Sequence, residues 1–552
     1  MANTPIGAQR QAVDSTADRL LVVAPPGCGK TELLAMRAER MIRDGTVRPG
    51  RRLLAITFTN RARDNLRERL RQQLGEARMR TSVSTMNFHE FAARVVEAHA
   101  PVIGLERGYS GPNPAWLRRA LAARKLGRTR EREVRDLLQA AKRGPLTDNE
   151  VLAHLAHDPD ALDIEQSRRE ENYVDYGDLM RYAQLILRND RVAALFQAHF
   201  DALLVDEFQD LSLQQYELTQ RISRRNATYV GDPFQGIYGW AGAAPEQIQA
   251  DLESSCEVLQ LTSSFRSAPA VLKVVNSVSA DLGAPALEAA RPKSWGKSGG
   301  HAYAAGYPND ATEADGIVEL TDYLAERYPE DRIGVICRAE YRRGALERAY
   351  DRAAHQPQFW DIALDTPRVA RLLKLHARHI APDVSFTDQV NELQERACSA
   401  IPPTDIETLR EVHEACEQLR EYASADTSVP ALVSRIRDHQ VVSAITSGVH
   451  VLNAHVGKGQ QFDWVVVMGL ENGHVPSVYS KTPEAILEDE RILLVMVSRA
   501  RKGLFLTHAS SNTNQYGRVF QNEPSQWWDQ MANATKPLTP AIAKLMKTTA
   551  GV

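Results

Sequence analysis

The sequence is poor in cysteine, and its few cysteines are widely separated. The five cysteines stand at positions 28, 256, 337, 398 and 416 and form no CxxC pair. This spacing argues against zinc or iron–sulfur sites, which need clustered thiolates. Scattered thiols without a disulfide framework favour a reducing compartment, and we therefore expect a cytoplasmic protein.

Long apolar runs are also absent. No run approaches the ~20 apolar residues that a membrane-spanning helix needs. The N-terminal segment MANTPIGAQR lacks the charged and apolar regions of a secretory signal. We therefore expect no membrane association. The 552 residues are 43% hydrophobic and 25% charged, which is typical of a globular protein of several domains at roughly 100–200 residues each.

The sequence also has no surplus of basic residues. The chain has 67 Lys and Arg against 70 Asp and Glu, which gives a net charge of −3. Proteins that bind nucleic acids often have a basic surplus, so the charge count does not favour this class. It does not exclude the class either, because a basic groove can lie on an acidic body. Evidence for a nucleic-acid substrate must come from motifs.

Residues 20–36, LLVVAPPGCGKTELLAM, combine an apolar strand, a turn and the start of a helix. This pattern predicts a phosphate-binding loop, in which backbone N–H groups and a helix N-terminus surround phosphates. Lys30 would reach the β- and γ-phosphates of ATP, and Thr31 would bind Mg²⁺. The loop consists of Ala24, Pro25, Pro26, Gly27, Cys28, Gly29, Lys30 and Thr31.

A second apolar strand, 202–205, ends in Asp206 and Glu207. A carboxylate pair at the carboxyl end of a strand is where a Mg²⁺ ligand and a water-activating base are found in phosphate-loop enzymes. Such a pair on its own is more often a solvated turn. Combined with the phosphate-binding loop, it predicts a site of ATP hydrolysis.

Eight segments follow one another in the order, and mostly at the spacing, of helicase motifs. They are QRQAV (9–13), APPGCGKT (24–31), TFTNRA (57–62), VDEFQD (205–210), GDPFQGIYGWAGA (231–243), SSFRS (263–267), HVGKGQQF (455–462) and VSRARKGL (497–504). From residue 9 to about residue 530, the chain resembles the UvrD/Rep/PcrA family of superfamily 1A DNA helicases. The resemblance implies an α/β fold of two RecA-like P-loop NTPase lobes, with parallel sheets flanked by helices.

The resemblance also implies roles for individual residues in ATP hydrolysis. Asp206 and Thr31 would hold Mg²⁺, and Glu207 would activate the attacking water. The other catalytic residues would be Lys30 on the phosphates, Gln235 as the γ-phosphate sensor, and Arg266 and Arg499 as arginine fingers from the opposite lobe. Besides the loop residues, the nucleotide would be contacted by Gln9, Phe265, Gly459 and Gln461.

Aromatic residues inside the motifs point to a single-stranded DNA track. In the family, residues equivalent to Phe58, Tyr238 and Trp240 stack on bases, and Tyr516 resembles another such aromatic. Stacking is worth ~1–3 kcal/mol per base and tolerates any sequence. The alternative for each aromatic is a place in the core. Backbone contacts to DNA, which carry no sequence information, are expected from Thr59, Asn60, Arg61, Thr85 and His89.

The spacing of the motifs predicts helical insertions, because residues 31–205 exceed what a simple lobe needs. Residues 117–137 and 179–200 have helical periodicity, and RIGVIC (332–337) predicts a strand followed by a helix over 338–354. We predict lobe 1A at 1–99 and 196–275, insertion 1B at 100–195, lobe 2A at 276–371 and 441–535, a reduced 2B-like insertion at 372–440, and a tail at 536–552.

Two functional hypotheses follow from this sequence. The first is an ATP-dependent 3′→5′ translocase or helicase, with ATP and Mg²⁺ as cofactors and single-stranded or 3′-tailed DNA as substrate. The second is a DNA- or nucleotide-sensing regulatory subunit that controls a partner nuclease or repair protein, as in anti-phage systems such as Gabija. The small 2B region and Ala241, where the family commonly has Arg, motivate the second hypothesis.

Overall fold

The computed structural model describes residues 5–111, 114–237, 242–338, 342–360, 367–381, 384–401, 408–409, 412, 415–416, 419, 428–434, 446–454, 458, 460–513 and 518–537. Two parallel β-sheets organise this part of the chain. No described helix is long and apolar enough to cross a membrane.

The first sheet contains the predicted phosphate-loop strand, which lies next to an edge strand. Its strands are β1 (Arg19–Val23), β2 (Arg52–Thr57), β3 (Val83–Asn87), β4 (Phe200–Asp206), β5 (Ala227–Gly231) and β6 (Glu257–Gln260). They lie in the order β3-β2-β4-β5-β1-β6, and every pairing is parallel. Parallel strands need a crossover between them, and the intervening helices supply it.

Helices cover both faces of this sheet. They are α1 (Gly7–Asp14), α2 (Lys30–Arg43), α3 (Asn60–Leu74), α4 (Glu76–Ser82), α5 (Phe88–His99), α6 (Pro114–Ala123), α7 (Arg128–Ala141), α8 (Asp148–Leu155), α9 (Pro159–Glu170), α10 (Tyr176–Leu187), α11 (Asp190–His199), α12 (Leu213–Ile222) and α13 (Pro245–Ser255). Of these, α6 to α9 share a hydrophobic cluster of their own, separate from the sheet. The predicted periodicities at 117–137 and 179–200 are confirmed as helices, and each is interrupted once, before α7 and before α11.

The second sheet is also parallel in every described pairing. After the short pair β7 (Ser263–Ser264) and β8 (Glu288–Ala289), its strands are β9 (His301–Tyr307), β10 (Arg332–Cys337), β11 (Gln358–Trp360), β12 (Gly448–Asn453), β13 (Phe462–Val467), β14 (Ala500–Ala509) and, after the hairpin β15 (Ser511–Thr513) and β16 (Val519–Gln521), β17 (Lys536–Pro537). The order is β11-β12-β10-β13-β14-β9-β17. The predicted strand 332–337 is therefore confirmed.

The helices of the second half are α14 (Pro269–Asp281), α15 (Asp310–Arg327), α16 (Gly344–Tyr350), α17 (Pro367–Ala377), α18 (Phe386–Ser399), α19 (Val429–Ser434), α20 (Pro483–Val497) and α21 (Trp528–Asn533). The helix predicted over 338–354 is shorter, because α16 begins only at Gly344. The predicted boundary between residues 275 and 276 falls inside α14, which packs on α20, β14 and β9 of the second half.

The hydrophobic core explains how the two sheets are held together. One cluster runs from α2 and β1, through α14, to α20, β13 and β14, so that both halves contribute to a shared interior. The described residues of 369–433 form a separate cluster. The sheets are therefore joined through a common core, whereas α6–α9 and α17–α19 are packed around cores of their own.

Candidate ATP site between the two lobes

The predicted phosphate-binding loop joins the end of β1 to the start of α2. Gly27 and Gly29 have φ of 81° and 80°, in the left-handed region that glycine adopts without cost. A Cβ atom at Gly27 would lie 2.5 Å from Ser264 Oγ and 2.7 Å from the Arg266 Cβ atom. Glycine is needed here because the segment that carries Ser264 and Arg266 lies directly on the loop.

The predicted carboxylate pair lies at the carboxyl end of β4, next to this loop. The Lys30 Nζ atom is 3.1 Å from Glu207 Oε2, and the Gln209 amide donates a 2.8 Å hydrogen bond to the same oxygen. Glu207 has a φ of 55°, an unfavourable value for a residue with a side chain, and such strain concentrates at functional sites. The turn directs the Glu207 carboxylate toward the phosphate-binding loop.

The two carboxyl groups differ in acidity. Burial, with the adjacent Glu207 charge, raises the pKa of Asp206 well above its ordinary value. Burial also acts on Glu207, but the ammonium groups of Lys30 and Lys458 outweigh it and hold the pKa of Glu207 below its ordinary value. Glu207 is therefore ionised and suited to accept a proton, whereas Asp206 is a buried carboxyl group that a cation would stabilise.

Gln235 connects the two halves of the chain. Its amide nitrogen donates to Asp232 Oδ2 at 2.6 Å, and its amide oxygen accepts a 2.8 Å hydrogen bond from Arg499 Nη2. The Arg499 Nε atom also donates to the Val495 carbonyl at 2.8 Å. A change in the position of Gln235 would therefore be transmitted directly to an arginine of the opposite half.

Arg266 and Arg499 share Ser498 as a neighbour. Arg266 donates to the Ser498 carbonyl at 3.2 Å, and Arg499 donates to the Ser498 hydroxyl at 2.8 Å. Burial lowers the pKa of Arg266 to about 10; burial and the nearby Arg266 charge lower the pKa of Arg499 to about 9. The guanidinium groups of Arg266 and Arg499 repel each other, and an anion bound between them would stabilise both.

The residues present fit a triphosphate. The buried Arg266 Nε atom has no hydrogen-bond partner among the described residues, and an unpaired buried donor costs ~1–3 kcal/mol. The loop, Lys30 and the arginines together present donors and positive charge to one cleft. For Mg²⁺ the chain offers Thr31 and Asp206, and Mg²⁺ commonly takes only one or two carboxylates and completes its shell with phosphates and water. The described residues contain no cluster of three or more metal-ligating side chains.

Gln9 and Phe265 both lie close to Gly29. A Cβ atom at Gly29 would be 3.0 Å from the Gln9 Nε2 atom and 3.9 Å from the Phe265 ring. Gln9 is buried, whereas the Phe265 ring is 38% exposed. An amide and an exposed ring at the mouth of a phosphate-binding loop are suited to hold a purine base. Gln461 is exposed just before β13, and Gly459 lies outside the described residues.

Sequence reasoning missed Lys458 as a site residue. Its ammonium group contacts both carboxylate oxygens of Asp210, at 2.7 and 2.8 Å, and the Gln235 carbonyl at 2.9 Å. Burial, partly offset by Lys458, raises the pKa of Asp210 to about 6. Both residues belong to quoted motifs, HVGKGQQF and VDEFQD, so the signal was present in the pattern. The sequence pattern did not show that these two residues, 248 positions apart, pair with each other.

The expected nucleic-acid contacts are only partly described. Thr59 caps α3 by accepting a hydrogen bond from the Ala62 N–H group, and Phe58 precedes it at the end of β2. Thr85 on β3 and His89 on α5 lie next to that strand end. Outside the described part of the structure are the side chains of Asn60 and Arg61 and the whole of Tyr238, Trp240 and Tyr516.

Comparison with known proteins agrees with this geometry. Residues 7–255 match a model of the UvrD/REP helicase N-terminal domain, and residues 370–511 match a model of the UvrD-like helicase C-terminal domain. The chain is 27% identical to the ATP-dependent DNA helicase UvrD2 of Mycobacterium tuberculosis, over 96% of this chain and 81% of that protein.

Two further relatives extend the similarity. The chain is 25% identical to the ATP-dependent DNA helicase PcrA of Leuconostoc citreum, over 94% of this chain and 83% of that protein. It is 22% identical to the ATP-dependent DNA helicase Rep of Buchnera aphidicola, over 94% of this chain and 97% of that protein. With both family models matched and two RecA-like lobes meeting at one phosphate-binding loop, the chain belongs to the UvrD/Rep/PcrA-like family of superfamily 1A helicases.

Proposed function

We propose that this protein hydrolyses ATP in the cleft between its two lobes and uses the energy to move 3′→5′ along single-stranded DNA. The observation that carries the proposal is the 2.8 Å hydrogen bond between Arg499 and Gln235. Through this bond, Gln235, which follows β5 of the first sheet, contacts Arg499 of the other lobe. Hydrolysis then depends on how the two lobes lie against each other, and this dependence is what a motor needs.

In the proposed reaction, Glu207 accepts a proton from water as the water oxygen bonds to the γ-phosphorus. The bond between that phosphorus and the β–γ bridging oxygen breaks, which leaves ADP and inorganic phosphate. Mg²⁺, held by Thr31 and Asp206, would neutralise charge on the phosphate oxygens. Lys30 now pairs with Glu207 at 3.1 Å, and a triphosphate would draw the ammonium group away. Glu207 would thereby become free to act only when ATP is bound.

Arg266 and Arg499 would stabilise the charge that develops on the phosphoryl oxygens. Arginine fingers contribute on the order of 10³–10⁵ to the rate. Gln235, which bonds Arg499, would sense the γ-phosphate. Gln9 and Phe265 would hold the adenine, and Gln461 and Gly459 are proposed to contact the ribose side of the nucleotide.

DNA is proposed to lie across the carboxyl ends of β2 and β3, where Phe58, Thr59, Thr85 and His89 are found. The proposed domain division is a lobe 1A with insertion 1B, and a lobe 2A with a small 2B-like insertion. The separate hydrophobic clusters of α6–α9 and of α17–α19 support the two insertions. Stacking and backbone contacts do not depend on the base sequence, so a track built from them suits a protein that moves along any DNA.

The test has two parts. ATP turnover is measured with and without single-stranded DNA, and we expect DNA to stimulate it. Strand displacement is then measured on duplexes with a 3′ or a 5′ tail, and only the 3′-tailed substrate should be unwound. A protein that binds single-stranded DNA yet shows no stimulation of ATP turnover would refute the coupling, and displacement only from a 5′ tail would refute the polarity.

The second candidate is a regulatory subunit that controls a partner nuclease or repair protein. What favours it is the small 2B-like insertion that the resemblance implies, which would lie between β11 and β12. Purification from the native host followed by size-exclusion chromatography separates the two proposals. A stable complex with a nuclease, together with weak strand displacement by the isolated chain, would favour this second role. A monomer with strong displacement would eliminate it.

A further inference from the structure

A cleft lined by arginines lies along β3, the outermost described strand of the first sheet. Its volume is about 570 Å³, and β3 pairs only with β2 among the described strands. Six arginines and two glutamates line the cleft: Arg52, Arg63, Arg67, Arg71, Arg80, Arg94, Glu76 and Glu90. The local excess of four positive charges stands out in a chain whose net charge is −3.

The arginines of this cleft are arranged in a row. Arg63, Arg67 and Arg71 follow one another at four-residue intervals on α3, which places each about 6 Å further along the helix axis. Arg80 on α4 and Arg94 on α5 face the same cleft. A row of cations on one side of a groove is suited to a chain of phosphates, because each step along the backbone brings another negative charge.

Part of this charge is already neutralised, and part is not. Arg94 pairs with Glu90 at 2.6 Å, and Arg71 pairs with Glu68 at 2.9 Å. Arg67 and Arg80 are exposed and have no ion pair or side-chain hydrogen bond within the described part of the chain. These two side chains can therefore contact an incoming anion without first breaking an interaction within the protein.

The cleft is continuous with the proposed DNA track. Thr85, one of the expected DNA contacts, lines the cleft itself. Thr59, another, caps the N-terminal end of the helix that carries Arg63, Arg67 and Arg71. Single-stranded DNA that leaves the carboxyl ends of β2 and β3 would enter the cleft directly and run beside β3 toward Arg80.

A second cavity of about 540 Å³ adjoins the arginine-lined cleft. The two cavities share Arg52, Ser84, Met86 and Arg94. Three rings that are at least partly exposed line this second cavity: His99, Phe196 and His199. Unstacked bases of a single strand pack on such rings, whereas a duplex keeps its bases inside. The combination of cations and rings favours a single strand over a duplex or an anionic peptide.

We propose that this arginine-lined cleft is an additional binding site for single-stranded DNA, which holds the sugar–phosphate backbone of the segment beyond the motif contacts. The proposal rests on the proposed function, since it assumes that DNA occupies the track at Phe58 and Thr85. Its consequence is a longer footprint on the first lobe. A motor that holds more of the strand on one lobe dissociates less often between steps.

The experiment measures the affinity of the full-length protein for two oligothymidylates. One, of about 8 nucleotides, is within the length that a single site covers, and the other, of about 20 nucleotides, extends beyond it. The variant is Arg67→Gln/Arg80→Gln, and Arg224→Gln/Arg225→Gln is the matched control. Arg224 and Arg225 are also exposed on the first lobe and lie before β5, away from the cleft. Thermal melting establishes that both variants are folded.

The cleft variant should bind the long oligonucleotide about tenfold more weakly at low salt, and the slope of log K against log salt should fall by about 1.4, or 0.7 for each lost phosphate contact. Its affinity for the short oligonucleotide, and both affinities of the control, should match the wild type. An unchanged affinity and slope for the long oligonucleotide would overturn the proposal. If the wild type binds neither oligonucleotide, the proposed function itself fails.

Discussion

Replacing Arg499 by alanine removes a guanidinium group that is buried and makes three hydrogen bonds, to Gln235, Ser498 and the Val495 carbonyl. If Arg499 is an arginine finger, ATP turnover at saturating DNA should fall by about 10³-fold or more, which corresponds to roughly 4 kcal/mol of activation free energy. The Michaelis constant for ATP should change less, because the finger acts mainly on charge that develops during phosphoryl transfer.

The effect on stability should be smaller than the effect on the rate. The Gln235 amide oxygen would lose a donor, which costs about 1–3 kcal/mol. Burial and the adjacent Arg266 lower the pKa of Arg499 to about 9, so removing this charge also relieves an unfavourable interaction. The two contributions oppose each other, and we expect the melting temperature to shift by only a few degrees.

The assay measures ATP turnover over a range of ATP concentrations at saturating single-stranded DNA, together with thermal melting. Arg501→Ala is the matched control, since Arg501 lies two residues away, is exposed, and pairs with Asp463 outside the cleft. Arg499→Lys keeps the charge without the planar fork and should remain strongly impaired. A folded Arg499→Ala protein whose turnover stays within tenfold of the wild type would refute the assignment.

Three further predictions test the rest of the site and the fold. Glu207→Gln should lower turnover by about 10²–10⁴-fold with ATP binding retained, and equal losses of binding and turnover would count against a role as the base. Phe265→Ala should raise the Michaelis constant for ATP, by roughly 3–10-fold for one lost ring contact, and should leave that for a pyrimidine triphosphate nearly unchanged; equal changes for both would argue against stacking on adenine. Glu490→Gln should stabilise the protein at pH 8, by roughly 1–2 kcal/mol, and much less at pH 5. Burial and the nearby Asp281 raise the pKa of Glu490 to about 7, so the stability that its protonated form provides is present at low pH and is lost as the pH rises through 7. Melting curves at both pH values check this, and a larger gain at pH 5 would contradict it.

The sequence was sufficient to predict the strands and the turn that frame the candidate site, because its signals are local. The apolar strand 20–23, the glycines of the loop and Lys30 lie within a dozen residues, and the structure brings them together as expected. The strand that ends at Asp206 and the strand 332–337 are confirmed for the same reason. The fold class is confirmed as well. The domain boundaries and the roles of individual side chains remain predictions.

Helix limits were less predictable. Of the helix predicted over 338–354, the structure describes Gly344–Tyr350 as α16, because periodicity indicates where apolar residues recur but does not fix the first and last residues of a helix. The periodic stretch 117–137 is broken between α6 and α7, where Lys125 adopts a φ of 51°. A single residue in the left-handed region ends a helix, and lysine provides no sequence signal for that conformation.

The amino-acid sequence by itself was sufficient to predict the chemistry proposed for this protein, from a loop typical of phosphate binding, a carboxylate pair and arginines in motifs of known order. These depend on residues a few positions apart, whose backbone geometry follows from their types. Only the tertiary structure decided that Arg499 contacts Gln235 across 264 positions and that Lys458 contacts Asp210 across 248. It alone also brought Arg67 and Arg80 into one cleft, because such contacts depend on how whole sheets and helices pack.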